Sequence, residues 1–101
     1  MVIISKSTLR EFAELHADAE GPLFNWYELT ANADWKNFNE VRNTFNSVDA
    51  VGNDRYVFNI KGNNYRLIAL IIFKVRTVFI LFIGTHAEYD KIDAAKVSFK
   101  K

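Results

Sequence analysis

Arg55-Tyr56-Val57-Phe58-Asn59-Ile60-Lys61-Gly62-Asn63-Asn64-Tyr65-Arg66-Leu67-Ile68-Ala69-Leu70-Ile71-Ile72-Phe73 is the stretch on which the fold turns. From Arg55 to Ile60 the chain alternates, with Tyr56, Phe58 and Ile60 on one side of an extended backbone and Arg55, Val57 and Asn59 on the other. Lys61-Gly62-Asn63-Asn64 then breaks the pattern with Gly and Asn, which accept positive φ, and reads as a hairpin turn. Tyr65 to Phe73 is apolar almost throughout, Arg66 excepted, which is the pattern of a central strand covered on both faces. Lys74 to Arg76 makes a second reversal, and Thr77 to Gly84 is a third strand rich in Val, Ile and Phe. Connections this short leave no room for parallel crossovers, so these strands are predicted to form consecutive antiparallel neighbours, a three-stranded meander.

Upstream the period is helical. Leu9, Phe12, Ala13 and His16 recur at i, i+3, i+4 and i+7 from Ser7 onward. A second stripe, Ala19, Leu23, Trp26, Tyr27 and Thr30, follows Asp18, which suits an N-cap, and Pro22 is tolerable in the first turn, where N–H groups lack partners. The two helices are expected to form a hairpin. Asn37, with Glu40 three residues on, caps a short third helix that turns Phe38, Val41 and Phe45 inward. Val2-Ile3-Ile4 reads as a short strand at the edge or centre of the sheet. Downstream, Thr85-His86-Ala87-Glu88 is a capping box that opens a short C-terminal helix. Ala94 to Lys101 shows no clear period. The expectation is one α+β domain over residues 1–101, a helical hairpin packed on a mostly antiparallel sheet.

Half of the 101 residues are hydrophobic and fifteen are aromatic, enough to bury one core without covalent staples. The absence of cysteine excludes disulfides, thiolate metal sites and a cysteine nucleophile. Met1 to Lys6 is too short an apolar run for a signal peptide, and Leu67 to Ile83 is interrupted by Lys74 and Arg76. No membrane span is expected, and the cytoplasm is the default location. The net charge of +1 conceals a split: residues 1–54 carry four Lys/Arg against nine Asp/Glu, and residues 55–101 carry nine against three. Such a split suits an anionic partner meeting the C-terminal half, as RNA would, and equally suits an ordinary solvated charged face.

Within the basic half, Lys61, Arg66, His86 and Tyr89 are the side chains fit for chemistry on a phosphate. His86 and Tyr89 are three apart on one helical face, and antiparallel pairing brings the start of the second strand toward the end of the third, where that helix begins. Cleavage of RNA without a metal needs a group to take the 2′-OH proton, a cation for the charged phosphorane and a group to protonate the leaving oxygen. An imidazole titrates near neutral pH and serves as acid or base, a phenol needs neighbouring cations to act as base, and a guanidinium clamps phosphate in a fork. The same residues also suit structural duties: Arg66 as a carboxylate partner, His86 at a helix start, Tyr89 as a core aromatic, His16 at the boundary of its stripe. No metal is expected, because the two His are far apart and His86, Glu88 and Asp90 do not share a helical face. The isolated glycines form no phosphate loop, and no cofactor is expected.

The segments Val57-Phe58-Asn59-Ile60-Lys61-Gly62-Asn63-Asn64-Tyr65-Arg66-Leu67 and Phe82-Ile83-Gly84-Thr85-His86-Ala87-Glu88-Tyr89-Asp90-Lys91-Ile92-Asp93 resemble the HigB-type toxins of the RelE superfamily of type II toxin-antitoxin systems. Ile3 to Phe12, Asp18-Ala19-Glu20 and Asp34-Trp35-Lys36-Asn37 share the resemblance, which covers most of the chain. It implies a RelE-like fold and an endoribonuclease that cuts mRNA on translating ribosomes and blocks translation. It also implies a HigA-like helix-turn-helix antitoxin, with operator DNA reached only through that partner. By the same resemblance Arg66, His86 and Tyr89 are the catalytic candidates, and Lys61, Arg55 and Lys91 are the RNA contacts. One position departs from the pattern: relatives often carry Arg before Phe-Ile-Gly-Thr-His, where this chain has Leu81. That departure keeps two alternatives open, an inactive homologue that only binds its antitoxin and a bare RNA- or ribosome-binding module.

Overall fold

The computed structural model describes residues Met1–Ser98. Its elements are β1 (Val2–Ile4), α1 (Lys6–Leu15), a 3-10 turn (Ala17–Ala19), α2 (Glu20–Ala31), α3 (Phe38–Thr44), β2 (Asp49–Gly52), β3 (Arg55–Ile60), β4 (Tyr65–Ile72), a second 3-10 turn (Phe73–Val75), β5 (Thr77–Thr85) and α4 (His86–Tyr89). They form an α+β fold, as expected. The five strands make one sheet in the order β1-β5-β4-β3-β2. The meander is present: β3 pairs antiparallel with β4 from Arg55↔Leu70 to Ile60↔Tyr65, and β4 pairs antiparallel with β5 from Tyr65↔Thr85 to Ile72↔Thr77.

Two strands extend the meander. β1 lies parallel to β5 at one edge, and β2 closes the other edge by pairing antiparallel with β3. β2 has no sequence signature because Asp49-Ala50-Val51-Gly52 buries almost nothing. Its existence depends on the turn after it, where Gly52, Asn53 and Asp54 take positive φ values of 94°, 53° and 61°. Gly, Asn and Asp tolerate that region better than other residues. In the β3–β4 hairpin the positive φ values fall on Lys61 (52°) and Gly62 (64°), so the left-handed residues are Lys and Gly rather than the Gly and Asn expected. β4 ends one residue early, because Phe73 opens the 3-10 turn that Arg76 closes with φ 52°.

The pleat sorts the sheet into two faces. Tyr56, Phe58 and Ile60 of β3, Tyr65, Leu67, Ala69 and Ile71 of β4, and Val78 and Ile80 of β5 pack with Leu9, Phe12, Leu23, Trp26, Trp35 and Val41 of the helical layer. Val57, Ile68 and Leu81 point the other way. A register shift between Ile68 and Ala69 lets Leu81 bulge between Ile80 and Phe82, so Leu81 and Phe82 both join this second face. Tyr89, Ile92, Ala94 and Val97 cover it. The segment after α4, where no period was visible, is thus a strap across the sheet, and Phe99 to Lys101 lie outside the described residues.

Asp18 does not cap α2. The helix begins at Glu20 with Ala19 as a backbone N-cap, while Asp18 sits in the preceding 3-10 turn with its carboxylate drawn to the β3–β4 hairpin. Asn37 does cap α3, its Oδ1 accepting from Glu40 N at 3.1 Å, although Glu40 Oε1 returns to Lys36 N rather than to the cap itself. Among the described residues no helix is long and apolar enough to cross a membrane.

Leu67 is fully buried at the centre of the helix-facing layer. Leu67→Ala is therefore expected to destabilise the fold by about 2–5 kcal/mol in urea unfolding, and a cost below about 1 kcal/mol would mean that β4 is not the packed centre.

Candidate active site

Register decides which side chains meet at the end of the sheet. Arg66, second in β4, stands opposite Asn59 on one side and Gly84 on the other. Gly84 leaves room that its neighbours use: a Cβ there would come within 2.5 Å of Phe82 Cζ and 2.9 Å of Glu88 Oε1. One residue later Thr85 turns the strand directly into α4. Its Oγ1 accepts from Glu88 N at 3.2 Å, and Glu88 Oε1 accepts from Thr85 N at 2.8 Å, so the expected capping box is complete. A helix fixed this tightly to a strand end has little freedom to swing.

The guanidinium of Arg66 packs over the Tyr89 ring, with Cζ 5.8 Å from the ring centroid. Arg66 Nη1 also donates to Asn63 O at 3.2 Å. No carboxylate lies in ion-pair range of it among the described residues. His86 stands on the same short helix, and its Nδ1 is 3.1 Å from Asp90 Oδ2, both side chains more than half exposed. The apolar ground beneath is Leu81, 6% exposed, packed with Val57 and Ile68 and abutted by Tyr89.

The remaining predicted contacts are distributed differently. Lys61 Nζ donates to Asp18 Oδ2 at 2.7 Å, and Tyr65 Oη donates to Asp18 Oδ1 at 2.5 Å. Arg55 is engaged by main-chain oxygens, Nε and Nη2 donating to Val97 O at 2.9 and 2.7 Å and Nη1 to Asn53 O at 2.7 Å. It also lies four residues along β3 from Asn59, roughly 13 Å at strand rise. Lys91 is exposed just beyond α4. The structure thus joins Arg66 to Tyr89, sets His86 on the same helix, and leaves Arg55 in a structural tie. Asp90, Asn59 and Asp18 were not foreseen. The i, i+4 spacing of His86 and Asp90 was the available signal for the first, and the register that follows from a four-residue turn at Lys61 to Asn64 was the signal for the second.

Lys61 beside Asp18, and then the Tyr65 hydroxyl, hold the Asp18 carboxyl below its usual range, and the same carboxylate, followed by burial, pushes the Tyr65 phenol up. Among the described residues no group of three or more His, Cys, Asp or Glu is placed to hold a metal ion.

A family model described as the RelE-like toxic component of a toxin-antitoxin system, HigB_toxin, matches residues 19–92. The chain belongs to the HigB toxin family. An mRNA interferase HigB of Escherichia coli O6:H1 is 35% identical over 94 residues, 91% of each chain. An mRNA interferase HigB of Shigella flexneri is 28% identical over 92 residues, 89% of this chain and 88% of the relative. The HigB match begins at Ala19, just after Asp18, and spans the whole stretch from Arg66 through α4.

The lowered Asp18 carboxyl fixes the sign of one pH dependence. A folded pKa below the unfolded one stabilises fully above the unfolded value, about 3.9, and the gain is lost as pH falls through the lower folded value. The urea midpoint of the parent protein is expected to exceed that of Asp18→Asn by a constant margin from neutral pH down to about pH 5, with the margin shrinking below about pH 4. A margin that grows on acidification would contradict the Lys61–Asp18–Tyr65 linkage.

Proposed function

We propose that this HigB family member is an endoribonuclease that cuts mRNA on the ribosome without a metal ion, acting in the cytoplasm. The observation that carries this reading is the contact of Arg66 with Tyr89 at the strand end from which His86 also projects. A guanidinium without a carboxylate against a phenol, with an imidazole on the same short helix, offers the three elements that 2′-OH attack on a phosphodiester requires. Arg66 stabilises the charge of the phosphorane. His86 and Tyr89 share the two proton transfers, and Asp90, by accepting from Nδ1–H, leaves His86 Nε2 as the nitrogen that faces substrate. Lys91, exposed just beyond α4, serves as an RNA contact, and Lys61 would join it by leaving Asp18.

The relatives' names, mRNA interferase HigB, support the substrate class. The matched family description supports a partner antitoxin, which we take to be a HigA-like helix-turn-helix protein that carries the complex to operator DNA. Because the candidate site lies in the basic half, an acidic or amphipathic antitoxin segment is the chemistry suited to mask it. Leu81 motivates a second reading: with an apolar side chain packed into the second face where relatives often carry Arg, the chain retains antitoxin binding and has lost cleavage.

Induction of the chain alone is expected to arrest growth, and co-expression of its antitoxin to relieve the arrest. Arg66→Ala and His86→Ala should each lower cleavage of ribosome-bound mRNA by about 10²-fold or more while leaving urea stability nearly unchanged. Parent-level cleavage by both variants would refute the assignment. A parent chain that binds its antitoxin and cuts nothing would establish the second reading instead.

A further inference from the structure

α3 turns its apolar side to the core and presents Asn39, Arg42, Asn43 and Asn46 outward at i, i+3, i+4 and i+7, the last just beyond the helix end. These four side chains line a surface depression of about 430 Å³. A second depression, of about 260 Å³, shares Asn46 and continues past Ser47 and Asn25 to Asn59. Asn59 is the cross-strand partner of Arg66. The two depressions meet at Asn46 and form a track that runs from α3 along the helical side of β3, past Phe58, to Asn59. Asn59 lies beyond the last β2–β3 pair, so that an RNA strand would pass around this open edge of β3 to reach the face that carries Arg66.

The side chains of these residues are not committed to the fold, a state they share with Asn32, Asn63 and Asn64 among the described residues. Asn37 caps α3 and Asn53 donates to Ala95 O, so both are committed to the fold. Among the described residues the side chains of Asn25, Asn39, Asn43, Asn46 and Asn59 make no hydrogen bond, and Arg42 has only the Phe38 ring, 5.9 Å from its Cζ. Neither depression is lined by Asp or Glu, although residues 1–54 carry nine acids. The track is thus an acid-free row of open amides with one guanidinium.

We propose that this track binds nucleobases of single-stranded RNA to one side of the scissile phosphate and sets the base preference of cleavage. The proposal rests on the reading of Arg66 as the phosphate-binding cation. An amide offers a donor and an acceptor side by side, which matches the edge of adenine, and a guanidinium matches guanine. Unpaired RNA presents such edges, whereas a duplex hides them. A single cation is too little charge for a phosphate-tracking groove, so base edges rather than backbone are the ligand that fits. The absence of carboxylates keeps the approaching strand from being repelled.

The test uses the triple variant Asn39→Ala/Asn43→Ala/Asn46→Ala, whose altered side chains are all exposed. The probes are a short single-stranded RNA carrying 2′-deoxyribose at the cleaved position and a strand of the same length lacking bases. The parent protein should bind the RNA more tightly than the abasic strand. The triple variant should lose about tenfold or more of its RNA affinity, the size of one lost bidentate base contact, and leave abasic binding unchanged. Its mapped cleavage sites should show a relaxed base preference. Asn43→Asp, which keeps the size and replaces the donor, should repeat the affinity loss at one position.

Equal RNA affinity in parent and triple variant overturns the proposal, as does an RNA affinity in the parent no greater than for the abasic strand. Loss of antitoxin binding with RNA affinity intact also overturns it and makes the track a protein contact. The binding measurement stands apart from catalysis. Reduced RNA affinity in the triple variant, combined with full cleavage by Arg66→Ala, keeps the track and rejects the catalytic reading of Arg66.

Discussion

β4 is buried on both faces, and the rest of the molecule is arranged to keep water from it. Leu67 and Ile71 on one side need the helical layer, and Ile68 on the other needs a cover of its own. A sheet with one face packed would expose Ile68, Val57 and Leu81 together as an apolar patch. The chain meets that need locally: α4 turns back at once from β5, and Tyr89, Ile92, Ala94 and Val97 lie across the patch. Arg55 secures the strap by holding the Val97 carbonyl with two N–H groups. A candidate RNA contact is thereby recruited into a structural duty by the requirement to bury β4.

The candidate site is a by-product of the same constraint. Because α4 must start where β5 ends, the Thr85 capping box fixes its direction, and Gly84 gives Phe82 and Glu88 the space that the tight reversal needs. Tyr89 serves two purposes, packing into the second face and supporting the Arg66 guanidinium. Arg66 stands on that face because its neighbours Tyr65 and Leu67 must face the helices, the period of two allowing nothing else. Site geometry and core packing are the same decision taken once along β4.

How much of this was legible follows from the range of the interactions involved. The alternation in β3, the apolar run of β4 and the Thr85 box are short-range patterns, and each appears in the structure within a residue or so of where it was read. β2 was not legible because Val51 is its only half-buried residue and its pairing leans on the left-handed run Gly52-Asn53-Asp54. Asp18 looks like an N-cap in sequence, yet Lys61 and Tyr65, more than forty residues later, compete for its carboxylate and win. The convergence of Arg66 and Tyr89 was inferable from antiparallel pairing. The placement of Asn59 beside Arg66 follows from the four-residue turn Lys61 to Asn64, whose length sets the register.

The split between an acidic first half and a basic second half acquires meaning only in three dimensions. Asp18 reaches Lys61 and Asp34 reaches Arg76, so carboxylates of the helical half neutralise cations of the sheet half across the fold. Arg55 is held by carbonyls. Exposed pairs of this kind add little to stability, but they decide where positive potential survives. It survives at Arg66, which meets only carbonyl oxygens and an aromatic ring among the described residues. A guanidinium left without a carboxylate, on a sheet whose Arg55 and Arg76 are tied, is a point at which a polyanion gains by binding and displaces no carboxylate to do so. The acidic half therefore serves the site by subtraction: it ties Lys61 and Arg76 and leaves Arg66 without a carboxylate, beside the helix that carries His86 and Tyr89.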